Sequence, residues 1–417
     1  MLKEKSNVIN LGCRLNAYES EVINDILKEN NLNNITVINT CAVTNQAVKN
    51  SKLTIKKAKK EKPENKIFVT GCASQIETTL FKNMVEVDKI ISNDFKNDKR
   101  SYLNNLIIDE TKNKFSIFSQ PFNKFKYRTR ALLQIQQGCD HRCSFCIIPF
   151  GRGDSVSLPM GEIVNRVGLL LKAGYQEITL TGIDLTSYGN DIPGKPRLGQ
   201  ILKRLLKLKP DLSRVRLSSI DPAEVDEDLL DIFLNEKKFL PHIHFSVQSA
   251  DDLILKRMKR RHSRNDLIII CEEIQKKRPE MTFGADIIVG FPTETNESFS
   301  NTLNFIKKFN FTNLHIFPFS PKQGTPAARM PQVREEIKKE RLKILREIGN
   351  EIKVKKMKKK IGQVTKVLFE TTKLSYTDDY FKLKVPSDNF SDSLNGKLVN
   401  VQFREIEGDF LNAEIIK

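Results

Sequence analysis

A chain of 417 residues with 39% apolar and 29% charged side chains is long enough for two or three domains and a large core. No apolar run approaches the ~20 residues of a membrane span, and Met1-Leu2-Lys3-Glu4-Lys5 lacks the apolar stretch of a secretion signal. The expected location is therefore the cytoplasm, with no membrane partner, where seven cysteines point to metal or catalysis rather than crosslinks. The formal charge of +18 favours a polyanionic partner, for which nucleic acid is the usual one.

The N-terminal segment repeats one pattern three times, an apolar run leading to a cysteine. Val8-Ile9-Asn10-Leu11-Gly12 leads to Cys13, Ile35-Thr36-Val37-Ile38-Asn39-Thr40 to Cys41, and Ile67-Phe68-Val69-Thr70-Gly71 to Cys72. Short β-branched runs bounded by Gly or Asn read as buried parallel strands, with helical patterns following at residues 19–28 and 46–60. The crevice of an open α/β sheet lies at the carboxyl ends of its strands. Three cysteines leaving three such ends converge on one edge, where they would hold a metal cluster with one iron unligated. A single free cysteine is more often a small buried hydrophobe; three at one topological position argue against that. Residues 101–126 lose periodicity and read as a connection between domains.

Gly138-Cys139-Asp140-His141-Arg142-Cys143-Ser144-Phe145-Cys146 then places three thiols at C-x3-C-x2-C. Three thiolates on one short loop suit a cubane iron–sulfur cluster with one iron left open. A zinc site would want a fourth ligand, which His141 could supply only by folding back within the loop. Candidate strands at 132–136, 177–180, 214–217, 243–247, 284–289 and 314–317 alternate with helical patterns such as 159–173 and 264–277. Six β/α units suit a partial barrel with its chemistry on the carboxyl face, and the cysteine loop directly follows the first strand.

Later strand ends carry residues suited to a bound cofactor: Gly182 and Asp184, Ser218-Ser219, Gln248-Ser249 and Gly290-Phe291-Pro292. Cys271 reads as core, and His242, His244, His262 and His315, without partners at metal or triad spacing, read as structural. Two basic runs, 256–262 and 353–360, could meet phosphates or simply face solvent. From Gly362 onward, alternating segments at 362–370, 381–385 and 398–403 read as a small antiparallel β-barrel or sandwich.

Cys139-x3-Cys143-x2-Cys146 is the signature of radical S-adenosylmethionine (SAM) enzymes, and its flanks through Pro149 and Gly151-Arg152-Gly153 resemble the methylthiotransferase family. Leu11-Gly12-Cys13-x-x-Asn16, Asn39-Thr40-Cys41-x-Val43 and Gly71-Cys72-Ala73-x-Gln75 are similar to that family's N-terminal domain. The resemblance implies an open α/β sheet (1–105), a radical SAM barrel (125–357) and a TRAM-like β domain that binds RNA (358–417). It implies two [4Fe-4S] clusters, one on Cys13, Cys41 and Cys72 and one on Cys139, Cys143 and Cys146. SAM would bind the open iron of the second, near Phe145, Gly182, Asp184, Ser219 and Gln248, with no catalytic residue beyond the cluster ligands.

In that family the reduced cluster splits SAM to a radical that removes hydrogen from the substrate, and a methylthio group is joined there. Gly12-Cys13-Arg14-Leu15-Asn16, Gly182-Ile183-Asp184-Leu185-Thr186 and Leu217-Ser218-Ser219-Ile220-Asp221-Pro222 look like the MtaB-type branch. That branch acts on C2 of threonylcarbamoyl-adenosine beside the anticodon. Ala250 stands where it commonly has Gly. The implied partners are the tRNA anticodon stem-loop, a reducing electron donor and a sulfur donor. Competing branches modify isopentenyl-adenosine in tRNA or an aspartate of a small-subunit ribosomal protein. A metal-stapled RNA-binding protein is the alternative without catalysis.

Overall fold

Apolar runs covered on both sides build the first sheet of this computed structural model, which describes residues 5–103, 129–370, 374–385 and 394–416. Strands β1 (Asn7–Asn10), β2 (Ile35–Thr40), β3 (Lys66–Gly71) and β4 (Lys89–Ile90) pair in parallel in that order. Every residue of β2 is buried, as a central parallel strand requires. Helix α1 (Arg14–Glu29) joins β1 to β2, and α2 (Asn45–Glu61), capped by the Thr44 hydroxyl accepting from Ala47 N, joins β2 to β3. Helix α1 starts at Arg14 rather than at the expected residue 19. Its first turns bury Asn16, Glu19 and Ser20, which interrupt the apolar period.

The central region contains six parallel strands in two three-stranded sheets. One has the order β5 (Ala131–Gln134), β8 (Glu177–Thr181), β9 (Arg214–Leu217); the other has β10 (His242–Gln248), β11 (Thr282–Val289), β12 (Asn313–Pro318). The sheets meet at a parallel bridge between Ile220 and Phe245, with Ser246 N donating to Ile220 O at 2.8 Å. The result is the expected six-strand partial barrel. A two-residue hairpin, β6 (Gln136–Gln137) with β7 (Val156–Ser157), flanks the cysteine loop. Strand alternation sends Ile243, Phe245 and Val247 into the core beneath the helices. His242 and His244 take the opposite, inner face.

The C-terminal segment closes into a barrel of order β13 (Val364–Leu368), β14 (Ser375–Tyr376), β15 (Lys382–Lys384), β17 (Phe410–Ile415), β16 (Leu398–Glu407). Its pairs are antiparallel except β15 with β17. Closure leaves no free edge, and Val367, Phe381, Leu383, Val401, Phe403 and Leu411 fill the interior. The loop 376–380 docks against the central strands. Asp378 pairs with Arg214 at 2.6 Å, the Asp379 carbonyl accepts from Thr282 Oγ1 at 2.8 Å, and Tyr380 stacks on His242 at 4.7 Å.

The basic run 353–360 is only partly a solvent face. Lys353 pairs with Asp409 and Lys360 with Asp379, anchoring the helix Glu335–Lys358 to the small barrel. The expected connection at 101–126 lies, from residue 104, outside the described residues. Among the described residues no helix is long and apolar enough to cross a membrane.

Candidate functional site

Cys13, Cys41 and Cys72 leave the carboxyl ends of β1, β2 and β3. Cys72 opens α3 (Cys72–Ile76), and the chain reaches it through Gly71 at φ +100°, where a Cβ would stand 2.4 Å from the Thr40 carbonyl. Only glycine fits there. Gly71→Ala is expected to cost roughly 1 kcal/mol or more, read as a lower urea midpoint.

Asn16 fixes the same corner. Its Nδ2 donates to Asn39 Oδ1 and Thr40 O, each at 3.0 Å, while its Oδ1 accepts from Cys13 Sγ at 3.5 Å. Water reaches Cys13, but protein surrounds it on the other sides. Burial raises the Cys13 and Cys41 thiols, and the charge of Cys72 raises both further. The three sulfurs act as one electrostatic group.

The second triad hangs on a loop tied down from several directions. Gly138, at φ +72°, passes so near Asp154 O that a Cβ would lie 1.9 Å from it. Cys139 N donates to Gly153 O at 3.1 Å, and Asp140 Oδ1 accepts from Ser155 N at 2.8 Å. Ser144 N and Oγ donate to the carbonyls of Met258 (3.0 Å) and Arg257 (2.7 Å). Arg260 reaches Cys143 Sγ at 3.7 Å and pairs with Asp221 at 3.0 Å. The basic run 256–262 thus wraps the cysteine loop; Arg257 and Arg260 are bonded within the protein, and Arg261 pairs with Glu224 from an exposed position.

Burial pushes the Cys146 thiol up to about 12, with Cys143 and then Cys72 adding to it. That last effect joins the two triads, and the packing agrees. The helix Ile148–Arg152 lies against α3, with the Cβ position of Gly151 3.0 Å from Ile76 and 3.5 Å from the Cys72 carbonyl. Between them runs a buried ionic bridge that the sequence reading did not anticipate. Arg152 donates through Nε to Cys72 Sγ at 3.1 Å, through Nη2 to Asn16 Oδ1 at 2.7 Å, and pairs with Glu19, which also holds Lys96 at 2.5 Å. All three charged side chains are shut off from solvent.

His141 does not fold back towards the cysteines. Its Nε2 lies 2.8 Å from Asp184 Oδ2 and 3.1 Å from Ser187 Oγ; burial alone would lower its pKa, but Asp184 and Glu224 lift it to about 9. Neither cysteine triad has all its sulfurs within 4.8 Å of one another. A zinc ion with bonds of ~2.3 Å would hold them at about 3.8 Å, so neither triad is preshaped for a single ion. All seven cysteines are free thiols, and Cys271 is fully buried core as expected.

Of the other expected cofactor contacts, Asp184 is the best placed, accepting from Cys139 Sγ at 3.3 Å. Gly182 lets Gln136 approach, since a Cβ there would be 2.6 Å from Gln136 Oε1, and that oxygen accepts from Asp184 N at 2.9 Å. Phe145 packs edge-on to Phe291 at 6.3 Å, behind the loop. Gln248 sits at φ +64° where the β10–β11 register shifts, and Ser219 is half-buried beyond β9. Ala250 is fully buried, its N–H donating to Thr302 Oγ1 at 3.0 Å, so the side chain replacing glycine faces the core.

Two of the histidines expected to be structural share one carboxylate partner that sequence spacing did not show. His244 Nε2 and His315 Nδ1 both lie 3.1 Å from Asp286 Oδ1, their rings 4.6 Å apart. Alternation placing His242 and His244 on the barrel's inner face was the available signal. Two surface depressions of about 390 and 400 Å³ lie elsewhere, beside Lys203 and Asp231 and beside Gly168 and Lys209, with no cysteine at either.

Residues 133–306 match the model of the radical SAM superfamily, and residues 5–92 match that of the uncharacterized protein family UPF0004. The chain is 45% identical, over 91% of each partner, to a threonylcarbamoyladenosine tRNA methylthiotransferase, MtaB, of Rickettsia prowazekii. It is 34% identical to the MtaB of Thermotoga maritima over 86% of this chain and 85% of that one. It is 31% identical to the tRNA-2-methylthio-N(6)-dimethylallyladenosine synthase of Carboxydothermus hydrogenoformans over 97% and 98%. A radical SAM methyltransferase of Kitasatospora setae, TsrM, shares the fold at a TM-score of 0.53 and 12% identity, covering 78% of this chain and 74% of that one.

Proposed function

Because the chain belongs to the radical SAM methylthiotransferases, we propose that it converts threonylcarbamoyl-adenosine next to the tRNA anticodon to its 2-methylthio derivative. What supports this reading is the pair of free cysteine triads, with the segment that follows the second tied to the first through Arg152, which bonds to Cys72 and pairs with Glu19. The choice of substrate rests on the relatives named for threonylcarbamoyladenosine, the nearer of which reaches 45% identity against 31% for the dimethylallyl type.

The donor sets fit the cofactors. Each triad offers three thiols, none crosslinked and neither set gathered for a single ion. Cys13, Cys41 and Cys72 would hold one [4Fe-4S] cluster and Cys139, Cys143 and Cys146 the other, with SAM beside the second. When bound, that set supplies one-electron reduction, SAM cleavage and the methylthio group.

The protein's own residues do the positioning. Asn16 and Arg152 orient Cys13 and Cys72, and Arg152 offsets thiolate charge at the first triad. Ser144, Asp140 and Arg260 fix the second loop. Asp184, held by Ser187 and His141, stands beside Cys139 where the amino group of SAM would find an acceptor. The Arg152–Glu19–Lys96 bridge is itself closed to solvent and holds the wall behind Cys72 in place.

The reading places the working units at 1–105, 125–357 and 358–417, with the small barrel contacting RNA and the reaction in the cytoplasm. A reducing electron donor and a sulfur donor complete it. The target base would be splayed from its loop to reach the site. Nucleoside analysis of tRNA from cells lacking the gene should show threonylcarbamoyl-adenosine accumulating without its methylthio form. Loss of a methylthio group from isopentenyl-adenosine or from a ribosomal protein would overturn the reading.

A further inference from the structure

Arg14 follows Cys13 directly in the chain, and its guanidinium is held by groups far away in sequence. Its Nη2 donates to Tyr380 OH at 2.9 Å, and its central carbon lies 5.6 Å from the centre of the Tyr380 ring. Tyr380 is itself fixed, at φ +72°, by stacking on His242 at 4.7 Å and on Tyr376 at 4.9 Å. The nearby arginines all meet carboxylates: Arg130, Arg214 and Arg216 pair with Glu177, and Arg152 with Glu19. Arg14 meets none within 4.0 Å among the described residues.

Beyond Tyr380 the histidines of the inner face continue the row, with His242 6.5 Å from His244 and His244 4.6 Å from His315. His315 has its Nδ1 committed to Asp286 while 58% of its side chain stays exposed, leaving the Nε2 edge open; Asp286 is already taken by two imidazoles. A pinned but charge-unmatched guanidinium beside a phenol suits a carboxylate. Such a set gains nothing from a hydrocarbon group.

We propose that Arg14, steadied by Tyr380, reads the threonine carboxylate of the substrate nucleoside and so selects it over bases carrying an apolar group. This rests on the function proposed above and adds the residues that discriminate. It also gives the C-terminal barrel a role at the site, since Tyr380 comes from its loop. A pocket built to pair a polar group rejects an analogue lacking it strongly, because its own groups are left unpaired.

The test measures binding of three anticodon stem-loops to the anaerobically reconstituted full chain. One bears threonylcarbamoyl-adenosine, one its methyl ester and one dimethylallyl-adenosine. Wild type should prefer the free acid to the ester by roughly tenfold or more, as for a charge-assisted pairing. Arg14→Gln should bring that ratio to within about twofold, with ester binding and iron content held, and Arg14→Lys should restore part of it.

If Arg14→Gln loses iron because it adjoins Cys13, Tyr380→Phe carries the test and should lower the ratio severalfold. A wild-type ratio near one, or a ratio unmoved by both variants, overturns the proposal. The function reading fails separately, if wild type binds the free acid yet methylthiolates only the dimethylallyl stem-loop.

Discussion

Replacing Cys13, Cys41 and Cys72 together by alanine is expected to leave about four of roughly eight irons, to spare SAM cleavage, and to abolish methylthio transfer. The second triad owes its shape to Gly138, Asp140, Ser144 and Arg260, none of which depends on the sulfurs of the first. The 5′-deoxyadenosine released under reductant should therefore persist, while mass analysis of the RNA finds no methylthio product. Iron unchanged by the substitutions, or SAM cleavage lost with them, would count against two separate centres.

The second large effect is on stability. Glu19→Ala removes the one carboxylate that, among the described residues, Arg152 and Lys96 share, leaving two buried cations facing each other. Breaking a buried pair in this way costs about 3–5 kcal/mol, which calorimetry should register. Burial works against the Glu19 carboxylate, yet Arg152 and Lys96 outweigh it and hold the pKa below the ordinary 4.5. Glu177, gripped by Arg216, Arg130 and Arg214 against the same burial penalty, is brought down to about 2.

The sign follows directly. A folded-state pKa below the unfolded one gives stability that is present above pH 4.5 and lost as pH falls towards 2. Acid unfolding should therefore begin below pH 4.5 and proceed down to about pH 2, and Glu19→Gln should flatten its dependence on pH. An unaltered acid limb in that variant would show the bridge to be idle.

What could be read in the sequence was what is local in it. The six cysteines and the strands delivering them follow from spacing and β-branched runs, and the alternating tail pointed to a small β-barrel or sandwich, of which the structure has the barrel. The partnerships that give the site its electrostatics were not legible. Glu19 and Arg152 are 133 residues apart, and Arg14 and Tyr380 are 366 apart, so topology alone brings them together. Polar residues recruited to the site also hid its structure: buried Asn16, Glu19 and Ser20 broke the helical period and concealed the first turns of α1. In the basic run 256–262 the pairings of Arg260 and Arg261 with Asp221 and Glu224 were likewise not legible, while Lys256 and Lys259 stay exposed.

The central claim is physical: the two cysteine triads, one at the ends of β1, β2 and β3 and one on the loop after β5, lie close enough for clusters held on them to interact. Electron paramagnetic resonance of the fully reduced, reconstituted protein tests this most directly. Two clusters at that separation should broaden and split each other's signals, and either triple cysteine variant should restore a simple spectrum. A wild-type spectrum equal to the plain sum of the two variants would contradict it.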